Sequence, residues 1–443
     1  MELKRILRLI KNDNARVETI KENKSYYKNR NNIKTKGVVP YKEQGKDPLR
    51  NADNRISHNF HEILVDEKAS YLFTYPVLFD IDNNKKLNKE VSNILGGNFA
   101  KKAQYLCVEA SNCGTAWLHY WIDENNRFEF EKVETEEIIP IYSSDLKREL
   151  LGIIRYYNKI EQVVDEDKVY TYIEYWDKKE LTTYKFEGNH LNENPINTKT
   201  VVHKLKVVPF IEFSNNSKRQ SDLVKYKDLI DLYDKVMSGF ANDLEDIQQI
   251  IYILENYGGA NLDEFLGDLK RYKAIKTNSG IQGTSGGVKT LQIEIPVEAR
   301  KVILDILKKQ IYESGQGLQQ DTESFGNASG VALKFFYRKL ELKSGLMETE
   351  FREGFELLIR AILNYLNMKG DIIQQTYTRN MISNDLENAQ IAQASVGIIP
   401  EKYILRNHPW VDDPEEAEEE MKKKENEVDP YSDLDNKDED NNE

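Results

Sequence analysis

One short segment carries the residue types of a phosphate-binding loop. Gly286-Gly287-Val288-Lys289-Thr290 places two glycines beside a lysine and a threonine. A Walker A loop needs Gly-Lys-Ser/Thr between a strand and a helix, because its backbone amides must wrap the phosphates. Here Val288 separates the glycine from the lysine, and the segment precedes a predicted strand. We therefore expect no ATP hydrolysis, and we assign no catalytic residue.

Candidate metal ligands are scattered along the chain. Only two cysteines, Cys107 and Cys113, occur, and among six histidines only His58 and His61 are near neighbours. Zinc sites need several Cys, His or carboxylate ligands together, so we predict no metal and no cofactor. We expect the cysteines to pack as small apolar groups and the two histidines to lie on a helix surface. The Asp80-x-Asp82-Asn83-Asn84 run is interpreted as a turn that ends a strand.

A polar internal segment bracketed by glycines runs from residue 315 to residue 330 and contains no lysine or arginine. Glycines at its two ends supply backbone freedom for hinge-like movement, namely Gly315, Gly317, Gly326 and Gly330. Between them lie Gln319, Gln320, Asp321, Thr322, Glu323, Ser324, Phe325 and Asn327. On the residues alone, an ordinary surface loop is the simpler interpretation.

Long helices are predicted on both sides of this segment. A 3.6-residue apolar period runs from Leu223 to Leu254, with Ser221 as a plausible N-cap. Pro296 is placed to begin the next helix, which continues to about residue 314. Another helix is predicted over 329–368, where Gly345 and Gly354 could mark bends. Apolar residues stray off one stripe of the first helix, which indicates contact on more than one side.

The remaining pattern is mixed. Residues 2–23 predict a basic helix, and residues 55–73 predict a second helix. The β-branched and aromatic runs over 115–213 predict an antiparallel meander with one solvated face. A compact insert over 259–295 ends in a strand, and smaller helices are expected within 382–407. At 443 residues, several subdomains are expected.

Charge is unevenly distributed along the chain. The net charge is −13, yet residues 412–443 alone hold sixteen acidic residues against four lysines. This balance argues against a broad basic surface that grips nucleic acid. Lysine and arginine interrupt every apolar stretch near the N-terminus. No run in the sequence approaches the roughly 20 apolar residues that span a bilayer. We expect a protein without a signal peptide or membrane segment and with a disordered acidic tail.

Several short blocks resemble the portal proteins of long-tailed bacteriophages that infect Gram-positive hosts. The order and spacing of the blocks over residues 50–415 carry the resemblance, because chance rarely preserves several blocks in sequence. The blocks are Asn54-Arg55-Ile56, Asn59-Phe60, Val65-Asp66, Lys68, Tyr71-Leu72, Pro76-Val77, 208–213, Ser221-Asp222-Leu223, Leu229-Ile230-Asp231, Tyr233-Asp234, 326–332, 347–351 and 410–414.

This resemblance implies an α+β multidomain portal fold, assembled with copies of itself into a ring that usually has twelve subunits. The implied parts are the N-terminal part of the wing with antiparallel strands (1–222), two stem helices (223–256 and 296–314), a small α/β clip (257–295), a tunnel loop (315–330), a long kinked wing helix (331–368), a helical crown (369–412) and a disordered acidic tail (413–443).

The resemblance also implies the function and the partners. The ring would form the channel through which double-stranded DNA is packaged into the capsid and later ejected. Its partners would be that DNA, the terminase large subunit, a head-completion adaptor protein, and the major capsid and scaffolding proteins. The ring would be assembled in the host bacterial cytoplasm and would occupy the portal vertex of the virion.

In such a ring, the polar loop over 315–330 would face DNA and touch it weakly, since a strongly basic bore would hold the duplex. Stem acids could give the bore a repulsive field, although a solvated helix face explains them equally well; the candidates are Asp231, Asp234, Asp243 and Asp246. The clip loop would dock the motor and the adaptor, and an unpartnered loop is as good an interpretation; its candidates are Asn278, Ser279, Gln282, Thr284 and Ser285.

Two other classes of function stay open. An enzyme acting on phage DNA would need clustered carboxylates, a histidine-based nucleophile system or an intact P-loop, and the sequence displays none of these. A structural ring or adaptor elsewhere in a phage-like particle is the nearer alternative. The long helix–insert–helix order favours the portal.

Overall fold

The structure is a computed structural model that describes residues 1–37, 52–163, 166–188, 191–246, 251–255, 287–291, 296–318, 330–381, 385–406, 411, 417–418 and 420–421. The chain divides into two compact units. The first combines Met1–Gly317 with Lys343–Arg379, and the second combines Leu318–Leu342 with Asn380–Glu443. Within these described ranges, no helix is both long enough and apolar enough to cross a bilayer.

The N-terminal segment forms three helices where one was predicted. They are α1 (Leu3–Asn12), α2 (Asn14–Tyr27) and α3 (Asn32–Lys36). The chain breaks at Asp13, whose carboxylate accepts hydrogen bonds from the Arg16 side chain at 2.7 and 2.6 Å. The break lets α1 cover a sheet while α2 packs on other helices.

A largely helical region follows, and it contributes many residues to the main apolar core. Its elements are α4 (Phe60–Phe73), β1 (Leu78–Ile81), α5 (Lys85–Leu95) and α6 (Phe99–Cys113). Asn84 caps α5 by accepting hydrogen bonds from the amides of Lys86 and Leu87, and the Asp82 carboxylate accepts two backbone bonds from residues 371 and 372. The interpretation of this run as a turn is confirmed.

The strand-rich region forms two antiparallel sheets. β2 (Thr115–Ile122) pairs with both β3 (Phe128–Val133) and the later β9 (Phe210–Ser214). The second sheet is a five-stranded meander of β4 (Ile138–Tyr142), β5 (Leu150–Val163), β6 (Glu166–Trp176), β7 (Glu180–Glu187) and β8 (Asn197–Val202).

The meander is therefore confirmed, but it covers only part of residues 115–213. Ile6 and Ile10 of α1 bury one of its faces against Ile154, Ile173 and Phe186. A separate apolar cluster joins Ile138 and Ile153 of the meander to Trp117 and Phe210 of the three-stranded sheet.

The first long helix, predicted as a stem helix, is shorter than expected. Ser221 accepts a hydrogen bond from the Leu223 amide and so caps a 3₁₀ turn (Asp222–Lys225), after which α7 covers Lys227–Asp246. Residues 251–255 form β10 (Ile251–Glu255), which pairs with β11 (Gly287–Leu291), so the helix predicted to continue to Leu254 is wrong. An apolar run of this length fits either a helix or a strand, and the pairing segment more than thirty residues away decides between them.

Two further helices agree closely with the sequence pattern. α8 covers Val297–Gly315 directly after Pro296, and α9 covers Gly330–Tyr365. Gly354 lies where α9 approaches β9, because a Cβ atom there would stand 2.5 Å from the Phe213 ring. Close packing therefore accounts for this glycine without a bend. Phe351 and Phe355 contact the same ring.

The chain directly after α9 remains in the first unit. β12 (Ile373–Thr376) pairs antiparallel with β1, from Leu78 opposite Thr376 to Ile81 opposite Ile373. Residues 369–379, which were predicted to begin the crown, thus belong to the same unit as residues 1–317. In the second unit, α10 (Asp385–Ser395) and α11 (Glu401–Arg406) agree with the helices expected within 382–407.

Candidate functional site

Two sets of predicted site residues lie outside the described ranges. They are the loop residues Gln319, Gln320, Asp321, Thr322, Glu323, Ser324, Phe325, Gly326 and Asn327, and the clip residues Asn278, Ser279, Gln282, Thr284 and Ser285. Their roles remain predictions. The structure describes the helices that carry the first set, α8 before it and α9 after it.

Asp234 was expected among the acids that face a channel, and the structure contradicts this. Its side chain is fully buried. It accepts hydrogen bonds from the Asn31 side chain at 2.6 Å and from the His58 amide at 3.1 Å, and it also contacts His58 Nδ1 at 2.8 Å. This carboxylate ties α7 to the N-terminal segment and is not available to line a bore.

Asp231 and Asp243, two of the other acids predicted to line the channel, have partners within the protomer. Tyr26 Oη donates a hydrogen bond to Asp231, and Lys227 lies 3.3 Å from the same carboxylate. Asp243 pairs with Arg300 and so joins α7 to α8. Asp246 is the last residue of α7. Asp231 and Asp243 are only partly buried, so a channel role for them stays a prediction.

Gly315 and Gly317 lie in close contact with α4. A Cβ atom would stand 2.5 Å from Leu64 Cδ1 at Gly315, and 2.2 Å from Leu64 Cδ2 at Gly317. Gln316, between them, adopts the left-handed conformation that ends α8, with a φ of 54°. The lack of space for a side chain therefore explains both glycines, and their hinge role stays a prediction. Gly330 is the first residue of α9.

A buried cluster of charges lies beside this helix end, and the sequence reading missed it. Asp222 accepts a hydrogen bond from Lys68 Nζ at 2.6 Å and from Asn215 Nδ2 at 3.0 Å. Lys343 Nζ lies 3.3 Å from the same carboxylate and donates to the Gly315 carbonyl at 2.9 Å. One carboxylate thus joins α4, the start of α7, the end of α8 and α9.

The cluster holds two ammonium groups and one carboxylate, all buried. Burial alone would raise the pKa of Asp222, but Lys343 and Lys68 hold that pKa well below its usual range. Burial lowers the pKa of Lys343 to about 8 despite the attraction of Asp222. The excess of positive charge makes Asp222 indispensable, because without it two lysines would be buried without a counter-charge.

His61 belongs to a neighbouring buried network, so its expected position on a helix surface is wrong. Its Nδ1 lies 2.8 Å from Tyr226 Oη, and its Nε2 lies 2.9 Å from Asn112 Oδ1. A neutral imidazole satisfies both contacts, accepting from the tyrosine hydroxyl and donating to the amide oxygen. Burial lowers the pKa of His61 to about 4, which keeps the ring neutral at pH 7.

Three potential metal ligands meet elsewhere, around a lysine. Atoms of Glu109, Cys113 and Glu136 lie within 4.8 Å of one another. Lys24 Nζ stands 2.9 Å from Glu109 and 2.6 Å from Glu136. Burial raises the pKa of the Cys113 thiol, whereas metal binding requires the thiolate. The lysine balances these carboxylates and ties α2 to α6. Cys107 is buried, as expected, with Sγ 3.4 Å from Met347 Sδ.

The segment that suggested a phosphate-binding loop lies in a strand. Gly287 begins β11, and Val288 and Lys289 stand opposite Leu254 and Ile253 of β10. An extended ladder strand does not wrap its amides around a phosphate. The sequence-based rejection of a P-loop is consistent with this placement.

α8 has a second apolar face that the described part of the protomer leaves open. Leu307 and Ile311 are buried at 4% and 0% exposure and pack inside the protomer. Val302 and Ile306 are 55% and 50% exposed, and Val297 and Ile303 are also exposed. Leu232 on α7 is exposed as well, in agreement with the stray apolar positions noted in the sequence. Such faces are typical of interaction surfaces.

Comparison with known proteins identifies the family. The model of the family described as phage portal protein, SPP1 Gp6-like, matches residues 6–431. The chain therefore belongs to this family of phage portal proteins, and the resemblance carried by the short residue blocks is confirmed.

Two relatives cover nearly the whole chain. The portal protein of Clostridium phage phiCD119 is 64% identical over 429 residues, which is 94% of this chain and 95% of the relative. The portal protein of Bacillus phage SPP1 is 32% identical over 429 residues, covering 92% and 83% of the two chains. A chain in the neck of a native GTA particle, computed with C12 symmetry, aligns over 78% of this chain and 87% of its own, with 11% identity and a TM-score of 0.43.

Proposed function

We propose that this chain is the subunit of a phage portal ring, which forms the channel for double-stranded DNA during packaging and ejection. The observation that carries the proposal is the 64% identity to a phage portal protein over 94% of the chain. The open apolar face of α8 supports assembly, because a second copy of the chain would bury it and a closed ring would satisfy every such face.

The particular ring is proposed to have twelve subunits and to occupy the portal vertex of the virion after assembly in the bacterial cytoplasm. Its proposed partners are DNA, the terminase large subunit, a head-completion adaptor, and the capsid and scaffolding proteins. Purified protein viewed by electron microscopy should show closed rings whose top views give the subunit number. A monomer at high protein concentration would contradict the proposal.

The loop over 319–327 is proposed to touch DNA weakly as DNA moves. Support comes from its composition, since each lysine or arginine contact to phosphate would add salt-dependent affinity and the loop has neither residue. Replacing Asp321 and Glu323 with lysine should slow or stall packaging into otherwise unchanged procapsids. The control, Asp321→Asn with Glu323→Gln, removes the same charges without adding positive ones. Unchanged packaging by the lysine variant would contradict the proposal.

The insert between β10 and β11 is proposed to dock the motor and later the adaptor. The support is that β10 and β11, the strands before and after residues 256–286, pair with each other in antiparallel fashion. The two ends of the insert therefore lie next to each other. Deleting 279–285 should leave rings intact but impair motor-driven packaging. Failure of the rings to assemble would show that the segment is structural.

A further inference from the structure

The end of α8 is the point at which the chain leaves the first unit toward the proposed DNA-contacting loop. Three contacts hold this point, defined here as the loop root, Gly315–Gln316–Gly317. The Gln316 amide donates to the Glu313 carbonyl at 3.2 Å, and the Gly317 amide donates to the Tyr312 carbonyl at 3.0 Å. Both glycines press on Leu64. The root is therefore seated against α4.

Lys343 adds a contact in which a buried charged side chain reaches the root. Its ammonium donates to the Gly315 carbonyl at 2.9 Å and lies 3.5 Å from the Leu64 carbonyl. Helix ends leave carbonyls without intrahelical partners, and a cation there also complements the helix dipole. Lys343 thus supplies a hydrogen-bond donor and a positive charge to the carbonyl end of α8.

The position of Lys343 is itself determined by Asp222. The carboxylate lies 3.3 Å from Lys343 Nζ and 2.6 Å from Lys68 Nζ. Lys68 donates to Asn215 instead of the root, at 2.8 Å. Both lysines are buried and both contact the Asp222 carboxylate, but of the two only Lys343 reaches α8.

We infer that Lys343 is a positioning residue that fixes the loop root to the Asp222 carboxylate, so that the proposed DNA-contacting loop starts from a set position. The link between the root and DNA rests on the proposed function, whereas the positioning itself does not. A lysine that served only to balance Asp222 would be interchangeable with Lys68.

Hydrogen–deuterium exchange of the full-length assembled protein separates these roles. Lys343→Met removes the contact to Gly315, and the matched control Lys68→Met leaves it; each variant keeps one lysine facing Asp222. Exchange at the amides of Gln316 and Gly317 should accelerate about tenfold in Lys343→Met, the loss of one charge-assisted hydrogen bond, and less than about threefold in Lys68→Met. Equal acceleration in the two variants, or none in Lys343→Met, would overturn the inference.

A substitute pair of variants and a packaging assay complete the experiment. If a methionine variant does not fold, Lys343→Gln and Lys68→Gln replace the pair, with the same expected difference at the root. Packaging assays on the same variants then address the proposed function separately. Faster exchange at the root with normal packaging would contradict the proposed DNA role of the loop but would support the positioning role of Lys343. An unchanged root would overturn the positioning role whatever packaging does.

Discussion

Helices α7 and α8 depart in opposite directions from the usual arrangement of polar and apolar side chains. Two acids are buried in and just before α7, since Asp234 of α7 is 0% exposed and Asp222 of the preceding 3₁₀ turn is 2% exposed. α8 instead exposes Val302 and Ile306 by half or more. The buried acids Asp222 and Asp234 have hydrogen-bond partners inside the protomer, whereas the apolar face of α8 has no cover in the described part of the chain. The difference teaches that buried charge is compensated within one protomer, while exposed apolar surface on α8 is left for another partner to cover.

The largest effect should come from the buried side of this comparison. Asp222→Ala leaves Lys68 and Lys343 buried without a counter-charge, so the free energy of unfolding should fall by about 3–5 kcal/mol. Urea denaturation of the full chain measures it. Asp228→Ala removes an exposed acid of the following helix, α7; it is the control and should change stability by less than about 0.5 kcal/mol. Similar small losses for both variants would erase the contrast.

Acid should weaken the buried network next. The folded-state pKa of His61, about 4, lies below its ordinary value of 6.5, so its contribution is present above pH 6.5 and is lost as pH falls toward 4. The loss is roughly 3 kcal/mol at most. His61→Gln keeps a donor and an acceptor without titrating, so stability should fall less steeply across this window. Burial also lowers the pKa of His119 to about 4, and adding His119→Gln should flatten the profile further. A profile unchanged by both substitutions would contradict the assignment.

The exposed side should respond through assembly instead of folding. Ile306→Asp places a charge on the open face of α8 and should weaken each contact between copies by about 1–2 kcal/mol. Sedimentation should show fewer rings, while the melting temperature of the unassembled protein stays near that of the wild type. Gln310→Asp, at a polar exposed position of α8, is the matched control. A large loss of protomer stability would mean that Ile306 belongs to the internal core.

The smallest effect should lie where the two helices meet. Asp243 and Arg300 pair between α7 and α8 with both side chains partly exposed. Asp243→Asn should therefore cost below about 1 kcal/mol, and added salt should reduce the difference. Denaturation at low and high ionic strength measures both. A loss comparable with that of Asp222→Ala would show that this pair is part of the buried network.

Local signals in the chain predicted much of the fold. Ser221 caps its helical turn, Pro296 precedes α8, and the alternating strands form a meander, because each feature depends on a few neighbouring residues. The family could also be predicted from local signals, because the short residue blocks that carry the resemblance keep their order along the chain. The end of α7 could not be predicted in this way, because β10 depends on a distant partner.

The candidate site was less accessible to sequence reasoning. Ile63 of α4 is 40% exposed, while His61 and Lys68 of the same helix are buried. The buried face of α4 is mostly apolar, but it also holds these two polar side chains, because their partners, Tyr226, Asn112 and Asp222, come from segments far along the chain. A helical period cannot reveal partners that only packing brings near.

The sequence by itself determined the family, the position of several helices and of the strand meander, and the lack of basic residues over 315–330, since these are properties of residue identity and local spacing. Only the tertiary structure decided which acids are buried, why Gly315 and Gly317 must be glycine, and which lysine grips the end of α8. Those outcomes depend on desolvation and on distances between segments far apart in the chain, and neither is a property of any short stretch of residues.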